Sequence, residues 1–556
     1  MSGRPARWIA LLPVACYLAL ALPLLFSPGL HIDEAADGLA ALAIGGPPGE
    51  WPCVASRLMI GGRIYPLTEG PYHGGFTPYL LWPALKLLGS GTLTIRLTSA
   101  AIAALILWLL FRSCEAWFGT TAALLAALLT ATDPVWAQYS RVLFHREEIL
   151  LQLPWWAFWW AALSYARERS AWRLGLAGLA LGLGLSMKIT FLWYLTGLGV
   201  LLAVPSLRQA ALPARPNGRA WALTLLGGLA GLSFIIVFNI IKPAVTIHHL
   251  WNALFDPIHV RGLDTAPAFP VLPEDTVTNL AYGHNLWLRL TQIPGLLGGR
   301  LPWPCSDDWG LSAPVPFLAW GRCVFFLSVL AGAFAFSLLR RDRPGSRAFL
   351  ALALVYLTVV LWTPFTLSNF DPGHLMALFP FPQIAAAALF AGFRPGRART
   401  LTAAALIALL TLNIGQNLAM AREISSDGGR GRWSRSIGEL AQELDAQGVR
   451  QPVTFGIGLS ETVAYLTGRR VIPLVLPELK AGRLDAGSYA DAVQDGRLVY
   501  VWMGTQFESL ELKNRFEEQL KRRGARVKLE RVIRDHLGRP AYWIYSARLD
   551  GPGRRK

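Results

Sequence analysis

Long apolar runs recur along this chain, and they constrain its fold more than any other feature. A helix needs about 20 residues to cross the hydrocarbon core of a bilayer. Apolar runs of roughly that length lie at 8–26, 96–112, 119–138, 148–166, 173–187, 190–205, 220–241, 314–339, 347–367, 374–393 and 400–420. With 53% hydrophobic and only 16% charged residues, the composition also indicates a membrane protein. The sequence therefore predicts a mainly α, polytopic helical bundle of about 11 transmembrane helices.

The basic residues lie mostly in short segments between these runs. The net charge of +17 would suggest nucleic-acid binding in a soluble chain, but here it follows the positive-inside rule. The clusters are Arg167, Arg169 and Arg173; Arg208, Arg215 and Arg219; Arg340, Arg341, Arg343 and Arg347; and Arg394, Arg397 and Arg399. With eleven spans all four clusters fall on the side of Arg4 and Arg7, which we assign to the cytoplasm. The first run is long enough to span and lacks a convincing cleavage site, so we interpret it as a helix rather than a signal peptide.

The chain divides into two predicted domains. Residues 1–425 form the transmembrane module, with large outward loops at 27–95 and 242–313. Residues 430–556 are charged and alternate between helical and strand patterns, which predicts a soluble α/β domain on the outer side. This domain carries neither a phosphate-binding loop nor a dinucleotide fingerprint nor a metal-spaced Cys/His set, so we expect an accessory role.

Two adjacent acids, Asp33 and Glu34, follow the first span directly on the outer side. Charges so close to hydrocarbon are costly, and two interpretations are open. One carboxylate could act as a general base. Alternatively, both could be acids at a helix N-terminus, where the helix dipole favours negative charge.

An ordered set of short motifs extends through roughly the first 240 residues. It comprises Asp33-Glu34, Tyr72-His73-Gly74-Gly75-Phe76-Thr77-Pro78-Tyr79-Leu80, Arg96-Leu97-Thr98-Ser99, Gln138-Tyr139-Ser140-Arg141, Glu147-Glu148 and Gly182-Leu183-Gly184-Leu185-Ser186-Met187-Lys188. The set resembles the GT-C glycosyltransferases, and more closely the branch of protein O-mannosyltransferases and lipid A aminoarabinose transferases. That resemblance implies Asp33 as catalytic base with Glu34 beside it, and Glu147 or Glu148 as a second acid of the site.

The resemblance also implies a lipid-phosphate sugar donor, whose leaving phosphate needs cations near the membrane surface. The candidate donor- and acceptor-binding residues are Lys188, Arg141, Lys242, Tyr72, His73, Asp371 and His374. Lys188 is the first choice, and its alternative is a snorkelling anchor. Arg141 could instead neutralise Glu147 or Glu148. Asp371 could simply cap a helix before Pro372.

Neither a metal nor another cofactor is expected besides the polyprenyl-phosphate donor substrate. The outward loop 242–313 contains several histidines, but their spacing matches no ligand motif, so a divalent metal is not favoured. Cys53 and Cys305 lie in the two large outward loops, where they form either a disulfide or two separate thiols.

The sequence thus predicts a glycosyltransferase in a bacterial inner membrane, with its active site facing outward. It would use a lipid-linked sugar and a protein, lipid or glycan acceptor, and it would not bind nucleic acid. A transporter or flippase is the alternative, although internal repeats are not evident. A non-catalytic envelope assembly protein is a further alternative. The fold supports many substrates, so sugar and acceptor stay open.

Overall fold

The computed structural model describes most of the chain. The described residues are 8–48, 51, 53–54, 56–68, 74–142, 147–212, 215–243, 245–246, 282–299, 316–365, 372–393, 396–429, 434–455, 458–474, 493–494, 497–504, 507–522 and 524–548. Tyr72, His73, Asp371 and Cys305 lie outside them. The predictions for those four residues, including the Cys53–Cys305 disulfide, therefore stay predictions.

The first part of the chain alternates between spanning and surface elements. Its elements are α1 (Leu11–Ala21), a 3-10 turn (Leu22–Leu24), α2 (Ile32–Ala43), a hairpin of β1 (Ser56–Ile60) and β2 (Arg63–Thr68), α3 (Thr77–Leu88), α4 (Thr92–Phe118), α5 (Thr120–Thr132), α6 (Pro134–Arg141), α7 (Glu147–Leu150), α8 (Gln152–Glu168) and α9 (Ala171–Met187). The antiparallel β1–β2 hairpin turns at two left-handed glycines, Gly61 and Gly62, and was not anticipated from the sequence.

Further helices complete the bundle. They are α10 (Leu192–Ala203), α11 (Pro205–Ala211), α12 (Gly218–Gly231), α13 (Ser233–Ile241), α14 (Tyr282–Leu297), α15 (Pro316–Leu339), α16 (Pro344–Trp362), α17 (Phe381–Gly392) and α18 (Arg397–Asp427). Short 3-10 helices precede α10 (Ile189–Phe191), follow α16 (Thr363–Phe365) and precede α17 (Pro372–Leu378). One apolar core joins the helices from α1 to α10 with α16 and α17.

Five helices of the described part are long and apolar enough to cross a membrane, and the number rises to seven if each of two bent helix pairs is one span. The chain is therefore an integral, multi-pass membrane protein. Shorter apolar helices, α1, α5 and α9 among them, accompany these spans. The total of eleven crossings stays a prediction.

Helix breaks and bends divide or end several of the predicted spans. The run 119–138 breaks at Asp133, whose side chain accepts the Val135 and Trp136 N–H groups and so starts a new helix, α6. The run 190–205 ends where the chain turns by 115° between α10 and α11 at Pro205, and the run 220–241 bends by 53° between α12 and α13. Proline cannot continue the hydrogen-bond ladder of a helix, which explains the first of these two bends.

Helices α9 and α12 pack backbone to backbone along a glycine seam. A Cβ added at Gly178 would lie 2.0 Å from the Thr224 carbonyl oxygen, and one added at Gly182 would lie 2.3 Å from the Gly228 carbonyl oxygen. Ser186 donates a 2.7 Å hydrogen bond to the Gly231 carbonyl at one end of the seam. Because apolar side chains gain little by leaving lipid, close backbone approach of this kind is a main source of helix association in membranes.

The C-terminal part contains a mixed sheet flanked by helices. Its elements are α19 (Ile437–Ala446), β3 (Val453–Phe455), α20 (Leu459–Leu466), β4 (Val493–Gln494), β5 (Arg497–Met503), α21 (Phe507–Arg522), β6 (Arg526–Arg534) and β7 (Pro540–Arg548). The strand order is β3-β5-β7-β6, with β4 beside β5; only β3 runs parallel to its neighbour β5. Helix α20 was not predicted, and it is the element that packs against α2.

Candidate active site

Helix α2 begins with a capping box built from His31 and Glu34. The His31 ring Nδ1 accepts the Asp33 N–H at 3.2 Å, and Glu34 Oε2 accepts the His31 N–H at 3.1 Å. Both acids predicted from the sequence therefore lie in the first turn, where the helix dipole favours them. Because His31 Nδ1 is an acceptor here, its 3.6 Å approach to Asp33 Oδ2 becomes an ion pair only when the ring is protonated.

Glu34 is sealed in the core by Arg96 of α4. The guanidinium forms two hydrogen bonds to the carboxylate, 2.6 Å from Nε to Oε1 and 2.7 Å from Nη2 to Oε2, and both side chains are fully buried. Arg96 also donates to the Gly29 carbonyl at 3.3 Å. This bidentate pair ties the start of α2 to α4. Glu34 thus has a structural role that accounts for its burial.

The side chain of Asp33, the residue before Glu34, is exposed rather than buried. Its side chain is 54% exposed, whereas that of Glu34 is 0% exposed. Helical geometry explains the difference, because successive residues point about 100° apart around the axis. Asp33 is therefore the carboxylate of the pair that is accessible from solvent.

A second group of charged side chains brings together three residues predicted from the sequence. Lys188 Nζ donates a 2.7 Å hydrogen bond to Glu148 Oε1, and His374 Nδ1 lies 2.7 Å from the same oxygen. A carboxylate only accepts, so Nδ1 carries the proton in this contact. Glu148 and Lys188 are buried and His374 is half-buried. The alternative that Arg141 neutralises Glu148 is not seen, because Arg141 donates to Leu24, Ser27 and Gln138 instead.

The elements that carry this group are held in place by neighbouring polar contacts. Lys188 follows the last residue of α9 in an extended conformation, and Glu148 belongs to the short helix α7. His374 lies in the 3-10 helix that precedes α17. Two carbonyls of that 3-10 helix accept hydrogen bonds: Tyr194 donates to Ala377 at 2.6 Å, and Gln152 donates to Met376 at 3.2 Å. The Trp193 and His374 rings form a T-shaped pair, with their centroids 6.3 Å apart.

The first outward loop docks directly beside Lys188. The Gly74 N–H donates to the Met187 carbonyl at 2.9 Å, and a Cβ at Gly74 would lie 1.5 Å from the Ser186 carbonyl oxygen. Only glycine fits at this approach. The Gly74-Gly75 part of the sequence motif therefore joins the loop to the end of α9.

The contacts of Arg141 indicate a structural role. Its guanidinium donates to the Leu24 carbonyl at 2.7 Å, to the Ser27 carbonyl and to the Gln138 side chain at 2.9 Å, and the side chain is fully buried. It therefore joins α6 to the end of the first helix. Lys242 lies exposed at the end of α13, away from the core. The backbone of Glu147 belongs to α7, while its side chain lies outside the described part.

A buried polar network that was not predicted links four helices. Asp133, at the start of α6, pairs with Arg322 of α15 and accepts a 2.8 Å hydrogen bond from Gln383 of α17. Arg322 also donates to Asn413 of α18. The Asp133-Pro134 dipeptide is a recognisable helix-start signal, but its partners are distant in sequence.

Tyr465 of α20 connects the C-terminal part to the helix that carries Asp33. Its ring fills the space beside Gly38, where an added Cβ would lie 2.4 Å from a ring carbon. Its hydroxyl donates to the Gly91 carbonyl and accepts the Gly91 N–H, both at 3.2 Å. Burial raises the pKa of Tyr465, so the hydroxyl stays protonated and keeps its donor. At the other end of α20, the Ile32 side chain packs against Gly458.

The chain was compared with protein families and with curated proteins. Residues 73–242 match the family model described as dolichyl-phosphate-mannose-protein mannosyltransferase. No curated protein matches the chain as a whole or in part at a significant level.

Solved structures match over nearly the whole chain. ArnT from Cupriavidus metallidurans bound to undecaprenyl phosphate has a TM-score of 0.59 and 13% identity, covering 99% of this chain and 100% of that chain. The apo form of the same protein has a TM-score of 0.58 and 13% identity over 96% of this chain and 97% of that one. The oligosaccharyltransferase AglB from Archaeoglobus fulgidus has a TM-score of 0.47 and 12% identity, covering 84% and 64%.

The chain therefore has the fold of a GT-C membrane glycosyltransferase, which confirms the resemblance expected from the sequence. Within that class it resembles the dolichyl-phosphate-mannose-protein mannosyltransferases over 73–242 and ArnT over nearly its full length.

Proposed function

We propose that this protein transfers a sugar from a polyprenyl-phosphate donor to an acceptor on the outer face of a bacterial inner membrane. The observation that supports this most strongly is the difference in exposure between the two acids of α2. Arg96 pairs with Glu34, which is fully buried, whereas the Asp33 side chain in the same helix turn is 54% exposed. A general base must reach the proton that it removes, and Asp33 has that access.

The proposed reaction is one displacement at the anomeric carbon. An acceptor hydroxyl or amine attacks that carbon while Asp33 takes its proton. The bond from the anomeric carbon to the phosphate oxygen breaks, and its electron pair leaves with the polyprenyl phosphate. Such a displacement inverts the anomeric configuration. Undecaprenyl phosphate, to which ArnT is bound in one of its two structures, is a carrier of the same chemical class as this leaving group.

Lys188 is the proposed cation for the leaving phosphate. Negative charge grows on the phosphate as the bond breaks, and a cation held in advance stabilises it without reorganisation. The Lys188 ammonium lies 2.7 Å from Glu148 Oε1, and the contact of His374 with the same oxygen helps to fix the position of that carboxylate.

Transfer from radiolabelled polyprenyl-phosphate sugars to endogenous acceptors in membranes tests this function. Asp33→Asn should lower transfer by about 10² to 10⁴-fold, the usual contribution of a general base. Glu168→Gln is a matched control, because Glu168 has a similarly exposed side chain (51%) on the predicted cytoplasmic side. The donor that supports labelling would identify the sugar.

Equal transfer by Asp33→Asn and wild-type membranes would remove Asp33 from catalysis. Absence of label with every donor, at normal protein abundance, would favour the transporter alternative instead. Asp33→Glu distinguishes a positional role from simple charge, since it keeps the base but moves the carboxylate by one methylene.

A further inference from the structure

A group of arginines lies where two membrane helices meet the predicted cytoplasmic surface. We name it the arginine surface and define it by Arg340, Arg341 and Arg343 in the turn between α15 and α16 and by Arg397 and Arg399 in the first turn of α18. Arg340, Arg341 and Arg397 are exposed, and Arg343 and Arg399 are half-buried. The positive-inside rule accounts for basic residues on this side of the membrane, but it requires no particular arrangement of them.

The folded chain brings the two halves of this surface to the end of one helix, α17. Phe336 lies one turn before Arg340, whose N–H donates to the Phe336 carbonyl at 3.0 Å. The Phe336 ring lies 2.5 Å from the position that a Cβ at Gly392, the last residue of α17, would take. Arg399 lies over the ring of Phe390, with 5.1 Å from its guanidinium carbon to the ring centroid. Arginines of α15 and α18 therefore flank the last turn of α17 from two sides.

The charge of the arginine surface is not offset by acids of the described chain. Asp342 is the one acid in the segments 340–343 and 397–399, and neither α16 nor α18 carries an acid in its first turn. Within the described residues, none of the five guanidinium groups is paired with a carboxylate. By contrast, Arg112 and Arg173, on the same predicted side, are each paired with a glutamate, at 3.1 and 3.0 Å. The arginine surface thus keeps its positive charge available for an external anion.

The two helices that carry this surface also border the lipid. Of the five long candidate spans in the described chain, α15 and α18 have the least buried apolar windows, 33% and 28%. Leu338 and Leu339 directly precede Arg340, and they are 52% and 82% exposed. Leu401 follows Arg397 by one turn and is 71% exposed. A bilayer phospholipid would place its phosphate beside the arginines and its acyl chains beside these leucines, whereas a soluble anion would contact the arginines alone.

We propose that the arginine surface binds the headgroup of an anionic bilayer phospholipid, whose acyl chains lie along α15 and α18. Guanidinium groups donate to phosphate oxygens in charge-assisted pairs, and basic sites between membrane helices suit such headgroups. The bound lipid joins the cytoplasmic ends of α15 and α18, two helices that Arg322 and Asn413 join deeper in the bundle. This proposal does not depend on the proposed function, because neither Asp33 nor Lys188 takes part in it.

Titration of phosphatidylglycerol into the full-length protein in a neutral detergent, followed by native mass spectrometry, tests this inference. The double variant Arg340→Gln/Arg397→Gln should raise the Kd by about tenfold or more, because one charge-assisted contact is lost from each helix. The matched control Arg167→Gln/Arg219→Gln removes the same charge at exposed positions on the same predicted side and should bind like wild type. Equal weakening by both double variants would reduce the effect to general positive charge and refute the site.

Thermal unfolding separates lost binding from lost folding. Phosphatidylglycerol should raise the Tm of wild type and of the control, because it binds the folded state, and it should raise that of Arg340→Gln/Arg397→Gln much less. Without lipid the three proteins should unfold at similar temperatures. Arg340→Lys/Arg397→Lys keeps both charges and should keep part of the affinity. A folded lysine variant that binds no better than the glutamine variant would contradict the electrostatic basis of the proposal.

Two further probes identify the source of the anion. Phosphatidylethanolamine, whose headgroup has no net charge, should bind more weakly than phosphatidylglycerol and respond little to the Arg340→Gln/Arg397→Gln double variant. Glycerophosphoglycerol, the headgroup without its acyl chains, should compete poorly. If it displaces phosphatidylglycerol at equal concentration, the surface takes a soluble anion and the bilayer lipid is refuted. An unchanged Kd for phosphatidylglycerol in the double variant would refute the arginine surface altogether.

Discussion

Neighbouring residues of one helix turn can have opposite roles, as Asp33 and Glu34 show. The sequence predicts the acid pair and its place after the first span. It also contains the signal that separates the two acids, since His31 and Glu34 have the spacing of a capping box. The partner of Glu34, Arg96, lies 62 positions away, and only the folded chain reveals that pairing.

Lys188 and Lys242 provide a direct comparison of two predicted phosphate cations. Lys188 is buried against Glu148, while Lys242 is exposed at the end of α13. We expect Lys188→Gln to raise the KM for the polyprenyl-phosphate donor by about tenfold or more, because a charge-assisted contact to the phosphate is lost. Lys242→Gln should leave that KM nearly unchanged. Steady-state transfer with varied donor would measure both.

The acceptor serves as an internal control for this prediction. A cation that binds only the donor should leave the KM for acceptor unaltered, and Lys188→Arg should recover part of the donor affinity. Equal KM values for the donor in wild type and Lys188→Gln would assign Lys188 a structural role with Glu148 alone.

At the scale of elements, the position of α2 is set from two sides. Arg96 holds its first turn from within the bundle, and α20 packs against it from the C-terminal part. The sequence predicts neither contact, because Gly38 and Tyr465 are separated by more than four hundred positions and glycine gives no indication of what packs against it.

Gly38→Ala tests whether this contact positions Asp33. The new methyl group would overlap the Tyr465 ring, so α2 and α20 must separate, and misplacement by about 1 Å can cost on the order of 100-fold in rate. Tyr465→Phe loses only the Gly91 hydrogen bonds and should cost roughly tenfold or less. Transfer rates per amount of folded protein would be compared.

The double variant Gly38→Ala/Tyr465→Ala gives the methyl group space and should recover part of the lost activity. Gly199→Ala is the matched control, since an added Cβ there meets open space. Loss of activity in Gly199→Ala as large as in Gly38→Ala would contradict the positioning role.

The Asp133–Arg322 ion pair also joins separate helices, α6 and α15. Removing one partner of a buried ion pair leaves an uncompensated charge, so Asp133→Ala should lower the free energy of unfolding by about 3–5 kcal/mol. The double variant Asp133→Asn/Arg322→Gln should lose less than the sum of its single changes. Thermal unfolding in detergent would measure these differences, and strict additivity would argue against the pairing.

At the scale of the whole molecule, hydropathy predicts that the chain is a multi-pass membrane protein, but it cannot resolve where helices break. Asp133 interrupts an apolar run that is continuous by hydropathy alone, and the bend between α12 and α13 divides another. The helical and strand patterns predicted after residue 430 correspond to helices α19 and α21 and strands β3, β5, β6 and β7, because such patterns are local. The Glu148–Lys188–His374 group is long-range, so the sequence supplied its members and not their pairing.

The orientation of the molecule is a separate prediction. In a background without native cysteines, Lys521→Cys on α21 should react with a membrane-impermeant maleimide in spheroplasts, because the C-terminal part is expected outside. Arg341→Cys, between α15 and α16, should react only after permeabilisation. Both positions are exposed, so accessibility to the reagent is matched. The reverse labelling pattern would invert the predicted topology.

The glycine seam between α9 and α12 restricts how a lipid can approach the site. With carbonyl oxygens where an added Cβ would stand, the gap between these helices is too narrow for a hydrocarbon chain. Lys188 follows α9 directly, so this pair of helices acts as a closed wall on one side of it. Under the proposed role of Lys188, a long isoprenoid tail would therefore enter from the bilayer past a different face of α9, and the seam would restrict the direction of lateral entry.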